Sequence, residues 1–242
     1  MLAASLLEVL LRFAVLRVQH GGRLTPRHRA DWLHQACGII ARRLSMGVSA
    51  SGALPASGLV VSNHLSYLDI LVYAALMPCM FVSKSEVLAW PMFGILARCG
   101  GTIFVERSRV HGVDEPARKM ADALKLDIPV ILFAEGTSTD GSTVLPFRSA
   151  FFEPAIATGM PIIPAAIAYS AADGVEADLC YYGDITMLPH LLGVLGREGV
   201  EARVRFGDGR SYADRKAAAQ ATREEVVTLR RGRAEHRRRP DG

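Results

Sequence analysis

Hydrophobic positions in the first 45 residues recur with the period of an α-helix. Leu2, Leu6, Val9, Leu10, Phe13 and Leu16 fall on one face, with Ser5, Glu8 and Arg12 on the other. Glu8 and Arg12 also stand four apart, in the order that favours an ion pair along a helix. Gly21 and Gly22 end this segment, and Thr25 followed by Pro26 supplies an N-cap and a first helical residue for a second helix running to about Leu44. That helix sets Arg27, His28, Arg29, Arg42 and Arg43 around Trp32, Leu33, Ile39 and Ile40. A basic amphipathic helix pair is expected to lie in a membrane interface, with its apolar face in the headgroup boundary and its cations on anionic lipid. A helical hairpin capping the domain core is the alternative.

After residue 45 the pattern changes. Short apolar runs rich in β-branched residues, at 59–62, 81–83, 102–105, 130–133, 162–168 and 202–206, alternate with helical stretches near 67–76, 91–99, 115–124 and 150–158. The alternation predicts an α/β domain whose sheet is largely covered on both faces by flanking helices. After Asp214 comes an Ala-rich charged helix, then Arg230, Arg231, Arg233, Arg237, Arg238 and Arg239 in a tail too polar to fold alone. The chain therefore divides into helices at 1–45, a central domain at 46–212, and a charged helix with a basic tail at 213–242.

Composition narrows the setting. Half of the 242 residues are hydrophobic and mean hydropathy is +0.21, yet no run approaches the roughly 20 apolar residues that cross a bilayer. A protein lying on a membrane is expected. The net charge of +4 suits anionic headgroups or an anionic substrate, and by itself would equally suit nucleic acid. Cys37, Cys79, Cys99 and Cys180 lack the close pairing of a zinc or redox motif, which fits reduced thiols in a cytoplasmic protein. A secretory signal is not expected, since the first segment has no basic stretch ahead of it and carries Glu8, Arg12 and Arg17 within it.

Four stretches carry candidate chemistry. The first ends an apolar strand in a polar turn, Asn63-His64-Leu65-Ser66-Tyr67-Leu68-Asp69. A histidine at the C-terminal edge of a strand stands where α/β sheets bind ligands, and can accept a proton near neutral pH. An aspartate on its other nitrogen would fix the tautomer. Residues five apart do not share a helical face, so His64 must sit in the turn before the helix that carries Asp69. On spacing alone, a capping box between Ser66 and Asp69, with His64 merely satisfying backbone groups, is the favoured reading. The second stretch, 101–107, ends in Arg107, placed either to clamp a phosphate or to pair with Glu106. The third, 130–141, is a buried strand opening into small polar residues, where Gly136 permits close backbone approach and Glu135, Thr137 and the loop amides can orient oxygens. The fourth, Pro161-Ile162-Ile163-Pro164, is a rigid start to a strand.

Together and in this order, the four stretches resemble the glycerolipid acyltransferase family, typified by 1-acylglycerol-3-phosphate (lysophosphatidate) acyltransferases. Lys84 and Glu86, within 81–87, also match a region usual in that family. The resemblance implies a mixed, largely covered sheet with flanking helices, preceded by the N-terminal amphipathic helix pair, and a catalytic domain at 46–212. It implies His64 as base, Asp69 as its partner, and Asn63, Lys84, Arg107, Glu135, Gly136 and Thr137 as substrate-binding residues. One departure bears on the acceptor: Ala134 and Ser138 stand where lysophosphatidate enzymes usually carry proline and arginine. The wording of 135–141, followed by Val144-Leu145-Pro146-Phe147-Arg148, is more similar to the branch with lyso-ornithine-lipid acyltransferases.

The expected reaction is O-acyl transfer from acyl-CoA or acyl carrier protein to a lysolipid hydroxyl, with lysophosphatidate the family default and lyso-ornithine lipid the alternative. Direct transfer is expected, because no Gly-x-Ser-x-Gly elbow occurs and no cysteine sits in a catalytic motif. No cofactor, metal or nucleic-acid partner is implied. The expected partners are lipid substrates and the membrane surface, with acyl carrier protein as the other donor, on the cytoplasmic face as a peripheral protein. An acyl-thioester hydrolase and a non-catalytic lipid-binding module are the rivals.

Overall fold

A computed structural model describes residues 2–90, 93–105 and 114–236. Eight α-helices and seven strands are found among them: α1 (Leu2–Gln19), α2 (Pro26–Arg43), β1 (Gly47–Ser51), β2 (Leu59–Ser62), α3 (Leu68–Leu76), β3 (Met80–Lys84), α4 (Phe93–Cys99), β4 (Ile103–Val105), α5 (Asp114–Leu124), β5 (Val130–Phe133), α6 (Glu153–Thr158), β6 (Ile162–Ser170), α7 (Met187–Leu195), β7 (Glu201–Phe206) and α8 (Arg215–His236). The strands form one mixed sheet in the order β1-β7-β6-β2-β5-β3-β4, parallel at every pairing except the antiparallel β6–β7.

Alternation along the central strands explains the cover on both faces. Val60 and Ile131 point into a core built with α2 and α3, while Leu59, Val61, Val130 and Leu132 point into a second core that includes Met120, Leu124, Phe152 and Ala218. Strands this short and this apolar hold their place because both faces are buried.

The helix pair at the N-terminus packs as a hairpin on the domain core, the alternative offered by its sequence. Thr25 caps α2, its hydroxyl accepting from the His28 amide at 3.2 Å. The predicted apolar face of α1 turns inward: Val9 is fully buried, Leu2, Leu6, Phe13 and Leu16 pack on the core, and the Trp32 indole donates to the Val9 carbonyl at 3.0 Å. Three of the α2 cations are also tied to protein. Arg27 pairs with Asp31 at 3.0 Å, Arg29 reaches the carbonyls of Arg98 and Cys99 at 3.1 Å each, and Arg43 pairs with Glu8. What α1 turns outward is a second stripe, Leu7, Leu11, Val15 and Val18. A helix with leucines on two faces has two candidate seams, and only tertiary packing decides which one is covered.

Arg230, the first of the C-terminal arginines, is held more firmly than its surroundings in sequence suggest. Arg230 sits in α8, donating to the carbonyls of Ile167 and Gly141 at 2.6 Å each and reaching Glu176 at 3.1 Å. Arg223 donates to the carbonyls of Val144 and Leu145. A helix that looks solvated in sequence thus clamps the loop after β5. Arg237, Arg238 and Arg239 lie outside the described residues.

Candidate active site

β2 and β5 are parallel neighbours in register, Ser62 opposite Phe133, so the turns that follow them meet at the C-terminal edge of the sheet. His64 lies in the first of those turns and Glu135 in the second. The His64 amide donates to Glu135 Oε1 at 2.7 Å, and the Leu145 amide donates to Glu135 Oε2 at 2.6 Å. Burial is the main influence on the Glu135 carboxyl and raises its pKa, opposed by those two amides and by the nearby charges of His64 and Arg230. With both oxygens engaged and the residue buried, Glu135 locks the two turns together.

Asp69 opens α3 and is fully buried. Its Oδ2 lies 2.7 Å from His64 Nδ1 and accepts the amides of Leu65 at 2.8 Å and Ser66 at 3.2 Å. The capping box between Ser66 and Asp69 is only half formed, since the Ser66 hydroxyl has no hydrogen-bond partner among the described residues and α3 has no side-chain cap bond; the carboxylate instead closes the turn and orients the imidazole. Its Oδ1 accepts the Tyr169 hydroxyl at 2.6 Å. Burial first, and then the charge of Asp69, raise the Tyr169 pKa well above that of an ordinary phenol, so this side chain stays a donor. Tyr169 gives no sequence signal; it is found only because β6 lies beside β2.

With Nδ1 held by Asp69, the imidazole has Nε2 left for chemistry. The ring stacks on Phe133, with centroids 4.2 Å apart and planes 14° apart, and lines a cavity of about 1230 Å³. The walls of the cavity are largely apolar, drawing on Leu33 and Ile40 of α2, Leu68 and Leu71 of α3, Phe104 of β4, and Trp90, Phe93 and Tyr181. Its polar lining includes Lys84, Gly136, Thr137, Ser138 and Arg148, together with Glu115 and Lys119 of α5. Lys84, Gly136 and Thr137 thus share one space with His64, as the sequence led us to expect.

Asn63 does not. It is buried, its amide nitrogen donating to the Ile167 carbonyl at 3.1 Å and its oxygen accepting the Ile167 amide at 2.9 Å. That reciprocal pair extends the β2–β6 ladder by one side chain, which makes Asn63 a fastener of the histidine turn, and it is not among the residues that line the cavity. Arg107 lies outside the described residues. The Ser138 hydroxyl donates to the Tyr181 carbonyl, and the Tyr181 amide donates to the Leu65 carbonyl at 2.8 Å, so the segment before α7 is stitched to both catalytic turns.

Comparisons with known proteins bear on the family and the fold. The sequence model of the acyltransferase family matches residues 48–168. The chain is 33% identical to a lyso-ornithine lipid O-acyltransferase of Brucella abortus, over 95% of this chain and 90% of that protein. It is 28% identical to a 1-acyl-sn-glycerol-3-phosphate acyltransferase of Neisseria meningitidis, over 87% of this chain and 84% of that one. In fold it is similar to the crystal structure of the 1-acyl-sn-glycerophosphate acyltransferase of Thermotoga maritima, with a TM-score of 0.63 at 20% identity, covering 97% of this chain and 89% of the other.

Proposed function

The chain belongs to the acyltransferase family, and from that premise we propose that it moves a fatty acyl group from an acyl thioester, carried by CoA or by acyl carrier protein, to the hydroxyl of a lysolipid. The observation that carries this reading is the His64–Asp69 pair on the wall of a large apolar cavity. His64 Nε2 takes the proton from the acceptor hydroxyl as its oxygen attacks the thioester carbonyl. The tetrahedral intermediate collapses with loss of the thiolate, which recovers the proton from the imidazolium. Asp69 stabilises that imidazolium throughout. The apolar wall holds acyl chains and excludes water, which favours alcoholysis over hydrolysis.

For the acceptor we favour lyso-ornithine lipid over lysophosphatidate. Two relatives at 33% and 35% identity, covering 95% and 86% of this chain, carry that name, and the loop after β5 presents a neutral Ser138 already bonded to a carbonyl. The assay is thiol release from acyl-CoA by the purified protein. Release is expected only when a lysolipid is present, with kcat/KM at least about tenfold higher for lyso-ornithine lipid than for lysophosphatidate, since a charge-assisted contact is worth about that factor. Equal release without any acceptor identifies a hydrolase instead.

We also place the protein peripherally on the cytoplasmic face of a membrane. No described helix is long and apolar enough to cross one. Two outward stripes support surface attachment: Leu7, Leu11, Val15 and Val18 on α1, and Leu188, Leu192 and Leu195 on α7, where Leu188 is 66% exposed. Leu2 and Leu6 of α1 and Leu191 of α7 line the cavity itself, so both helices border the site that a lipid must enter. Serine at Leu7 and Leu11, or at Leu188 and Leu192, is expected to weaken sedimentation with anionic vesicles by about tenfold or more, on the scale of burying such side chains. Unchanged sedimentation of both double variants would remove the surface assignment.

A further inference from the structure

We infer that Arg148 is the anion-binding residue of the acceptor site, and that Gly136 is glycine in order to seat it. The inference rests on the lysolipid reading and names the group that recognises the acceptor's negative charge, whether the carboxylate of an ornithine headgroup or the phosphate of lysophosphatidate.

Three observations converge on Arg148. Among the described residues it is the one guanidinium on the wall of the cavity that His64 also lines. Its guanidinium pairs with no carboxylate among the described residues, whereas Arg223 and Arg230 nearby are held by carbonyls or by Glu176. Its position is built. The Arg148 amide donates to the Ala134 carbonyl at 3.0 Å, fixing the backbone beside the loop that begins at Glu135. The side chain then lies across Gly136, so that a β-carbon added there would fall 2.7 Å from Nε, 2.8 Å from Cζ and 3.2 Å from Nη2. Gly136 also has φ of +73°, a conformation in which side chains are strained. Any other residue at 136 would push the guanidinium off the loop.

The position explains how a loop can carry Ser138 and still read an anion. A planar fork offering two parallel N–H groups suits carboxylate and phosphate alike. Here it comes from ten residues after Ser138 in sequence and reaches the same loop through space. Because Glu135 couples that loop to the His64 turn, an anion held at Arg148 is placed relative to the base.

The test uses the full chain with acyl-CoA as donor and three acceptors: lyso-ornithine lipid, its carboxylate methyl ester, and lysophosphatidate. Binding of each acceptor is read by calorimetry alongside turnover. Arg148→Gln is expected to raise KM and Kd for lyso-ornithine lipid and for lysophosphatidate by about tenfold or more, leaving the KM for acyl-CoA unchanged. The methyl ester should bind wild type and Arg148→Gln equally. Gly136→Ala, checked for folding by thermal melting, should reproduce the rise in KM, and Arg148→Lys should restore part of the lost affinity. The inference is overturned if Arg148→Gln raises the KM for acyl-CoA instead, which assigns the residue to the donor, or if esterification weakens Arg148→Gln as much as it weakens wild type. Arg148-dependent binding without turnover would sink the transfer reading and leave the anion site standing.

Discussion

Replacing His64 with alanine is expected to abolish acyl transfer while leaving the protein folded. The base alone contributes roughly 10² to 10⁴ in rate, and no second side chain among the described residues pairs with Asp69 in a way that could replace it. The imidazole lies at the cavity wall and stacks on one face of Phe133, so its removal opens space toward an existing cavity and creates no void in either core. The backbone of the turn keeps its own ties: the residue 64 amide to Glu135, the residue 64 carbonyl to the Thr139 amide at 3.0 Å, and the Leu65 and Ser66 amides to Asp69. The melting temperature should therefore fall by no more than a few degrees while kcat falls by at least about a hundredfold. Turnover near the wild-type level would refute the mechanism, whatever the assay showed about acceptors.

Much of this site could be seen in the sequence, because what makes it is local. Strands 59–62 and 130–133 are short apolar runs between turn residues, and each opens into its own polar loop, so His64 and Glu135 could be placed at strand ends from pattern alone. The five-residue step from His64 to Asp69 also reads correctly once the histidine is put in the turn and the aspartate on the helix. Contributions from distant parts of the chain could not be read. Tyr169 reaches Asp69 only because β6 lies beside β2; a tyrosine near the end of an apolar strand carries no mark of that. The resemblance implies substrate binding for Asn63, whereas its bonding to Ile167 depends on the same strand neighbour. β1 was missed because Gly47–Ser51 is short, small and mostly exposed, with no hydrophobic period to detect. α7 was missed because Met187–Leu195 contains proline and glycine. For the leading α1 face the sequence leaves membrane and core open, because periodicity identifies faces and says nothing about which face meets protein.

The second large effect is expected at Asp69, where the structure separates a catalytic role from a structural one. Asparagine there is nearly isosteric and can keep one oxygen toward His64 Nδ1 and the Leu65 and Ser66 amides, while its NH₂ group faces the Tyr169 oxygen, which can turn from donor to acceptor. The turn then survives, but the negative charge that steadies the imidazolium is gone. A fall in kcat of about 10³ to 10⁴ with little change in KM is expected, since the loss is felt where the base carries the proton and not where substrate binds. Tyr169→Phe provides the contrast. It leaves the charge and the Nδ1 contact in place and removes one donor from buried Oδ1, so it should cost about 1 to 3 kcal/mol of stability through that unsatisfied oxygen and at most about tenfold in kcat. Measured together, kcat and thermal stability should move apart: activity lost with the fold kept in Asp69→Asn, and fold weakened with most activity kept in Tyr169→Phe. If Asp69→Asn instead loses stability in proportion to its activity, the carboxylate acts mainly as the closure of the His64 turn, and the imidazole does its work without the charge.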